Sequence, residues 1–93
     1  MSEATKQAIV VAQKLLKSYE SIDFFNYPLL SYSRWAADEI IHELEMNKDI
    51  PPLIILEEFR NKMDDYACEN LRNSFIFSEA YDVVTIIIDE LLE

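Results

Sequence analysis

The sequence of 93 residues contains no glycine, one cysteine and three prolines. Glycine lets a backbone approach a bound phosphate and supplies the positive φ of tight two-residue hairpins. Its absence argues against phosphate-binding loops and hairpin-rich sheets, and it favours a helical chain. The single cysteine, Cys68, excludes an internal disulfide and weakly favours a reducing compartment.

Long apolar runs are also missing. No run reaches the ~18 residues that a membrane-spanning helix needs. The run Ala8–Ala12 is too short for the apolar core of an export signal, and Lys14 and Lys17 follow it closely. We therefore expect a protein of the cytoplasm with no membrane partner.

Basic side chains are scarce, since 18 acidic residues face 8 basic ones and the formal charge is −10. The excess lies in residues 23–93, with 16 acidic and five basic side chains, whereas residues 1–22 carry three lysines against two glutamates. Such a charge repels phosphate backbones and anionic lipid surfaces, so we expect no direct nucleic-acid binding. Because 51% of the residues are hydrophobic, the charge does not indicate disorder.

Apolar side chains recur at helical spacing in four segments, which predicts an all-α fold: a small single-domain bundle of about four helices. We expect these helices at residues 2–21, 33–46, 51–69 and 74–92. Ser2 and Ser33 are the expected N-caps of the first two. Proline at 51 and 52 suits the start of the third. Asn47 and Asn70 are expected to take the left-handed position that often ends a helix.

The fourth segment is the most apolar of the chain. Its run Val83–Ile88 could also form a buried strand, but a single strand would have no partner, and the flanking residues favour a helix. Val83 and Ile86 widen its apolar surface beyond the stripe from Phe77 to Leu91. Either the other helices surround this extra surface or a second chain covers it, and we expect a symmetric homodimer.

Aromatic residues are concentrated in one region, because six of the eleven lie between residues 19 and 35. Such rings commonly cover one end of a bundle core, and this interpretation is favoured. The functional interpretation is an exposed patch that binds a partner protein, since tyrosine and tryptophan are enriched at binding hot spots. With the surplus residues of the fourth helix, the candidate partner-binding residues are Phe24, Phe25, Tyr27, Tyr32, Trp35, Val83 and Ile86.

Two short acidic patterns could carry chemistry. Glu39 and His42 match the Glu-x-x-His element of di-iron bundle proteins, which need two such elements, whereas this chain has one histidine. Glu79 and Asp82 match half of the acidic signature of all-helical nucleotide pyrophosphatases, which this chain resembles in size and helical character. That resemblance implies Mg²⁺ held against substrate phosphates, but the expected Glu-x-x-Glu partner is missing.

The sequence therefore favours a non-enzymatic interaction protein: a small acidic regulator, inhibitor or accessory subunit that binds an unidentified protein. No residue is assigned to catalysis or to a metal, and no cofactor is expected. A narrower version is a mimic of nucleic acid that occupies a basic groove. The alternative is a Mg²⁺-dependent hydrolase of the nucleotide pyrophosphatase type that uses Glu79 and Asp82.

Overall fold

The computed structural model describes residues 2–21 and 30–93, and within these ranges it is all-α. The helices are α1 (Glu3–Glu20), α2 (Leu30–Met46), α3 (Pro52–Glu69) and α4 (Ser74–Leu92), and a short 3₁₀ helix (Leu71–Asn73) precedes α4. No strand is present in the described ranges, so the all-α prediction is confirmed and the run Val83–Ile88 is helical. None of the helices described has the length and apolar character to cross a membrane.

The N-terminus of α1 is capped as the sequence predicts. The Ser2 hydroxyl accepts a hydrogen bond of 3.1 Å from the Thr5 amide, and the two hydroxyls lie 2.8 Å apart. This contact satisfies one of the amides that have no partner inside the helix. Because Thr5 is fully buried, the cap also fixes α1 against the bundle.

Helix α2 begins three residues before the predicted start, at Leu30 instead of Ser33. Leu30 packs against the core, and this burial favours extending the helix over the extra turn. Ser33 is therefore a buried residue within α2, and its predicted role as N-cap is wrong. Its hydroxyl bonds to Glu79 in α4 instead of an amide of its own helix.

The described chain reverses direction without a left-handed residue, since no residue there has positive φ. The prediction for Asn47 and Asn70 is therefore wrong. Asn47 instead donates its side-chain amide to the Glu43 carbonyl at 2.8 Å, which satisfies an end of α2. Asn70 has φ −123° and leads into the 3₁₀ helix, while Pro52 occupies the first turn of α3 as expected.

Helix α4 is the centre of the bundle. It packs extensively against α3 and α2 and less closely against α1, while α1 packs mainly against α2. Val83 is only 1% exposed, so the other helices cover it, and the prediction that it belongs to an outer partner-binding surface is wrong. Ile86 remains 44% exposed. The buried side chains of α4 are Ala80, Val83, Val84, Ile87 and Ile88.

Candidate functional sites on the bundle surface

A polar cluster joins three helices beneath one end of the bundle. The Ser33 hydroxyl in α2 donates a hydrogen bond of 3.3 Å to Oε2 of Glu79 in α4. The side chain of Tyr19, from the last turns of α1, is buried beside them. Burial raises the pKa of the Tyr19 hydroxyl, the charges of Glu79 and Asp82 raise it further, and a hydrogen bond with Ser33 acts in the opposite direction. The cluster therefore holds a neutral tyrosine near two carboxylates.

The two acidic patterns do not meet in a metal centre. Glu79 and Asp82 lie one turn apart on α4 and both act on Tyr19, so they share one side of that helix. Glu39 is half-buried and His42 is exposed on α2. Within residues 2–21 and 30–93, no three His, Cys, Asp or Glu side chains are grouped closely enough to hold a metal ion.

An aromatic surface lies where α2 and α4 begin. The rings of Tyr32 and Phe75 meet edge to face, with centroids 5.7 Å apart and an interplanar angle of 73°. Trp35 follows Tyr32 by one turn of α2 and is 42% exposed, and Phe75 is 44% exposed. We call Tyr32, Trp35 and Phe75 the Trp35 surface. The other predicted aromatic residues, Phe24, Phe25 and Tyr27, lie outside the described residues.

Sequence reasoning missed Phe75. The signal was available, because Phe75 precedes Phe77 by two positions and so points away from the apolar stripe that begins at Phe77. A large ring off the stripe in the first turn of a helix indicates either an end cap or an exposed contact. Here the ring packs on Tyr32 from α2 and still exposes much of its area.

Negative charge flanks the Trp35 surface. Asp38 and Glu39 follow Trp35 by one turn on α2, and neither forms an ion pair within the described part of the chain. The nearest basic residue in sequence, Arg34, lies 3.9 Å from the Glu20 carboxylate, with both side chains about half exposed. Arg34 is therefore partly neutralised, and the aromatic rings lie beside carboxylates that pair with no basic side chain in the described part of the chain.

A separate groove of about 290 Å³ runs between α1 and α4. It is open to solvent, and α1 packs less closely against α4 than α2 and α3 do. Ile86 lies in this groove and is exposed, as is Trp35 among the predicted partner-binding residues. The lining residues are Val11, Lys14, Leu15, Ser18, Ile86 and Glu90.

Comparisons with known proteins give no relative from which a function could be transferred. No protein-family model matches the sequence, and no curated protein or solved structure matches the chain. Function is therefore inferred from the surfaces of this chain alone.

Proposed function

We propose that this protein is a non-enzymatic interaction protein that binds another protein through the Trp35 surface. The observation that carries the proposal is the exposure of Trp35, one turn along α2 from the half-buried Tyr32, and of Phe75, whose ring packs against Tyr32. Aromatic rings contribute large contact area with few rotatable bonds, so a partner gains much by covering them. A fixed edge-to-face pair beside Trp35 offers such an area at little cost in conformational entropy.

The charge around this surface supports a basic partner. Asp38 and Glu39 stand beside Trp35 with no ion-pair partner among the described residues, and the chain carries a formal charge of −10. An arginine of the partner could lie on the indole face and pair with these carboxylates at the same time. We therefore expect a regulator, inhibitor or accessory subunit that works in the cytoplasm and docks on a basic protein surface. The nucleic-acid mimic is one form of this proposal.

Site-specific photo-crosslinking tests the proposal. A photoreactive amino acid is placed at position 35 in one variant and at position 54 in another, because Trp35 and Ile54 are similarly exposed but lie on different helices. We expect a defined protein to be crosslinked in native-host extract from position 35 and not from position 54. Crosslinking of the same proteins from both positions would contradict a specific Trp35 surface.

Binding of the purified partner gives the quantitative arm of the test. Trp35 is the sole tryptophan, so its fluorescence reports contact directly. We expect Asp38→Asn together with Glu39→Gln to weaken binding, whereas Asp64→Asn with Asp65→Asn removes the same charge from α3 and leaves affinity nearly unchanged. Equal loss in both double variants would indicate attraction by net charge alone.

The Mg²⁺-dependent hydrolase remains the second candidate. One observation favours it, namely that Glu79 and Asp82 act on the same Tyr19 hydroxyl and so lie on one side of α4. The hydrogen bond from Ser33 engages one oxygen of Glu79, which leaves fewer lone pairs for a cation. Incubation with a panel of nucleoside triphosphates and Mg²⁺ tests it: hydrolysis that is lost in Glu79→Gln would replace the binding proposal with this one.

The proposal also includes a homodimer. Its contact surface is not the Trp35 surface but the groove between α1 and α4, where Ile86 is exposed. Self-association and partner binding would then use different faces of the bundle.

A further inference from the structure

The two walls of the groove between α1 and α4 carry opposite charge. Lys14 projects from the α1 wall, and Glu90 projects from the α4 wall, with Asp82 exposed two turns earlier on the same helix. Neither Lys14 nor Glu90 forms an ion pair within the residues that the structure describes. The groove therefore carries one lysine on its α1 wall and one glutamate on its α4 wall, and both charges are available to another molecule.

The floor between these walls is apolar. Val11 and Leu15 of α1 are half-buried there, and Ile86 of α4 is 44% exposed although its neighbour Ile87 is fully buried. Covering these three side chains would remove apolar area from water, which favours association. An apolar seam between charged edges is the usual composition of a protein interface.

Two-fold symmetry decides how two such grooves can face each other. If the two-fold axis runs along the groove, the α1 wall of each copy faces the α4 wall of the other, and Lys14 approaches carboxylates. If the axis runs across the groove, like walls meet, and lysine faces lysine. Because like charges across an interface are costly, the first arrangement is favoured.

Building on the proposed homodimer, we infer that a second copy of this chain covers the groove and that the two-fold axis runs along the groove. Each α1 then lies against the α4 of the other copy, and the Ile86 side chains approach each other near the axis. A standard interface buries about 800 Å² per partner, roughly one-eighth of the 6069 Å² that the chain exposes. Helices of 18 and 19 residues, ~27 Å long, provide a face of this order.

Sedimentation equilibrium over a range of concentrations tests the contact. We expect the unmodified chain to form twice its 10.9 kDa mass as concentration rises, and Ile86→Asp to raise the dimer Kd by about a hundredfold or more. Ile54→Asp, at an equally exposed isoleucine of α3, is the matched control and should leave the Kd unchanged. Circular dichroism checks that both variants are folded.

A charge-swap cycle tests the orientation. With unlike walls facing, Lys14→Glu and Glu90→Lys should each raise the Kd by about tenfold, and the double variant should return it to within about threefold of the original. Glu90→Lys makes the chain less negative, so net repulsion alone would predict a tighter dimer. If like walls faced each other, like charges would meet in the single and the double variants alike, so the double variant would show no rescue.

The outcomes separate this inference from the function proposal. A chain that stays monomeric at all concentrations overturns the homodimer and the groove contact, but it leaves binding at the Trp35 surface intact. A dimer that survives Ile86→Asp overturns the groove contact alone. A groove dimer without rescue in the charge-swap cycle overturns the orientation.

Discussion

The hydroxyl of Ser33 donates a hydrogen bond of 3.3 Å to the carboxylate of Glu79, and this bond joins α2 to α4. Tyr19 brings α1 to the same point, because its hydroxyl interacts with Ser33 and feels the charge of Glu79. A buried polar group costs free energy unless it is hydrogen-bonded, so three helices are held in the one arrangement that satisfies the cluster. The cluster thereby fixes the ends of α1 and α2 that flank the Trp35 surface.

The first prediction concerns this hydrogen bond. Ser33→Ala should lower the free energy of unfolding by about 1–2 kcal/mol, because the Glu79 carboxylate loses a donor in a partly buried site. Ser18→Ala removes an exposed hydroxyl that donates to the Leu15 carbonyl of its own helix, and should cost less than about 0.5 kcal/mol. Urea unfolding measures both. Equal losses in the two variants would mean that the hydrogen bond from Ser33 to Glu79 does not stabilise the fold.

The second prediction concerns pH. Burial raises the pKa of Tyr19 in the folded chain, and the carboxylates of Glu79 and Asp82 add to the rise. The folded chain therefore keeps this proton at pH values at which the unfolded chain has lost it, and the free energy of unfolding falls as pH rises above about 10. The contribution of Tyr19 to the free energy of unfolding is fully present below about pH 10 and is lost as the pH rises through the raised pKa of the folded state.

Tyr19→Phe checks the origin of this slope. The variant has no hydroxyl to titrate, so its free energy of unfolding should fall less steeply as the pH rises above about 10. Urea unfolding at several pH values provides the measurement, and parallel slopes for Tyr19→Phe and the unmodified chain would contradict the assignment.

The helical stripes were predictable because burial follows the helix period. Apolar residues that fall inside the predicted segments at helical spacing, such as Ala8 and Ala12 in α1, Ile40 and Leu44 in α2, and Leu56 in α3, are buried. Helix ends were less predictable. A serine before an apolar run signals an N-cap in either case, and only tertiary contact shows that Ser2 caps its helix while Ser33 bonds to Glu79.

The candidate site was predictable only in part. The sequence identified Tyr32, Trp35 and Ile86, which are half-buried or exposed, but it also identified Val83, which is buried. A spacing argument gives the angle between side chains on one helix and not the number of helices that surround it. Because α1, α2 and α3 all pack against α4, they bury more of its circumference than a single apolar stripe would cover.

The third prediction tests the core that supports both surfaces. Leu56 of α3 is fully buried, and Leu56→Ala should lower the free energy of unfolding by about 2–5 kcal/mol through lost burial and a residual cavity. Leu71→Ala, in the 3₁₀ helix, should change it by less than about 0.5 kcal/mol because Leu71 is 81% exposed. Thermal or urea unfolding distinguishes them, and a small loss in Leu56→Ala would contradict the packing around α3.

The fourth prediction separates the two surplus residues of α4. Val83→Thr keeps the shape of the side chain but buries a hydroxyl, which should cost about 1–3 kcal/mol because the surrounding core is apolar. Ile86→Thr places its hydroxyl in an open groove, where water can solvate it, and should change the free energy of unfolding of the monomer by less than about 0.5 kcal/mol. Urea unfolding at concentrations below the dimer Kd isolates the monomer.

When self-association is measured, Ile86→Thr should have the larger effect and Val83→Thr the smaller one, which is the reverse of their effects on the free energy of unfolding. Ile86→Thr removes apolar area from the groove floor and should weaken the dimer, whereas Val83→Thr, with its side chain inside the bundle, should leave the Kd of the folded fraction unchanged. One residue would then govern folding and the other association, although they lie one turn apart. If both variants weakened the dimer in proportion to their loss of stability, association would depend on the fold as a whole and not on the Ile86 groove.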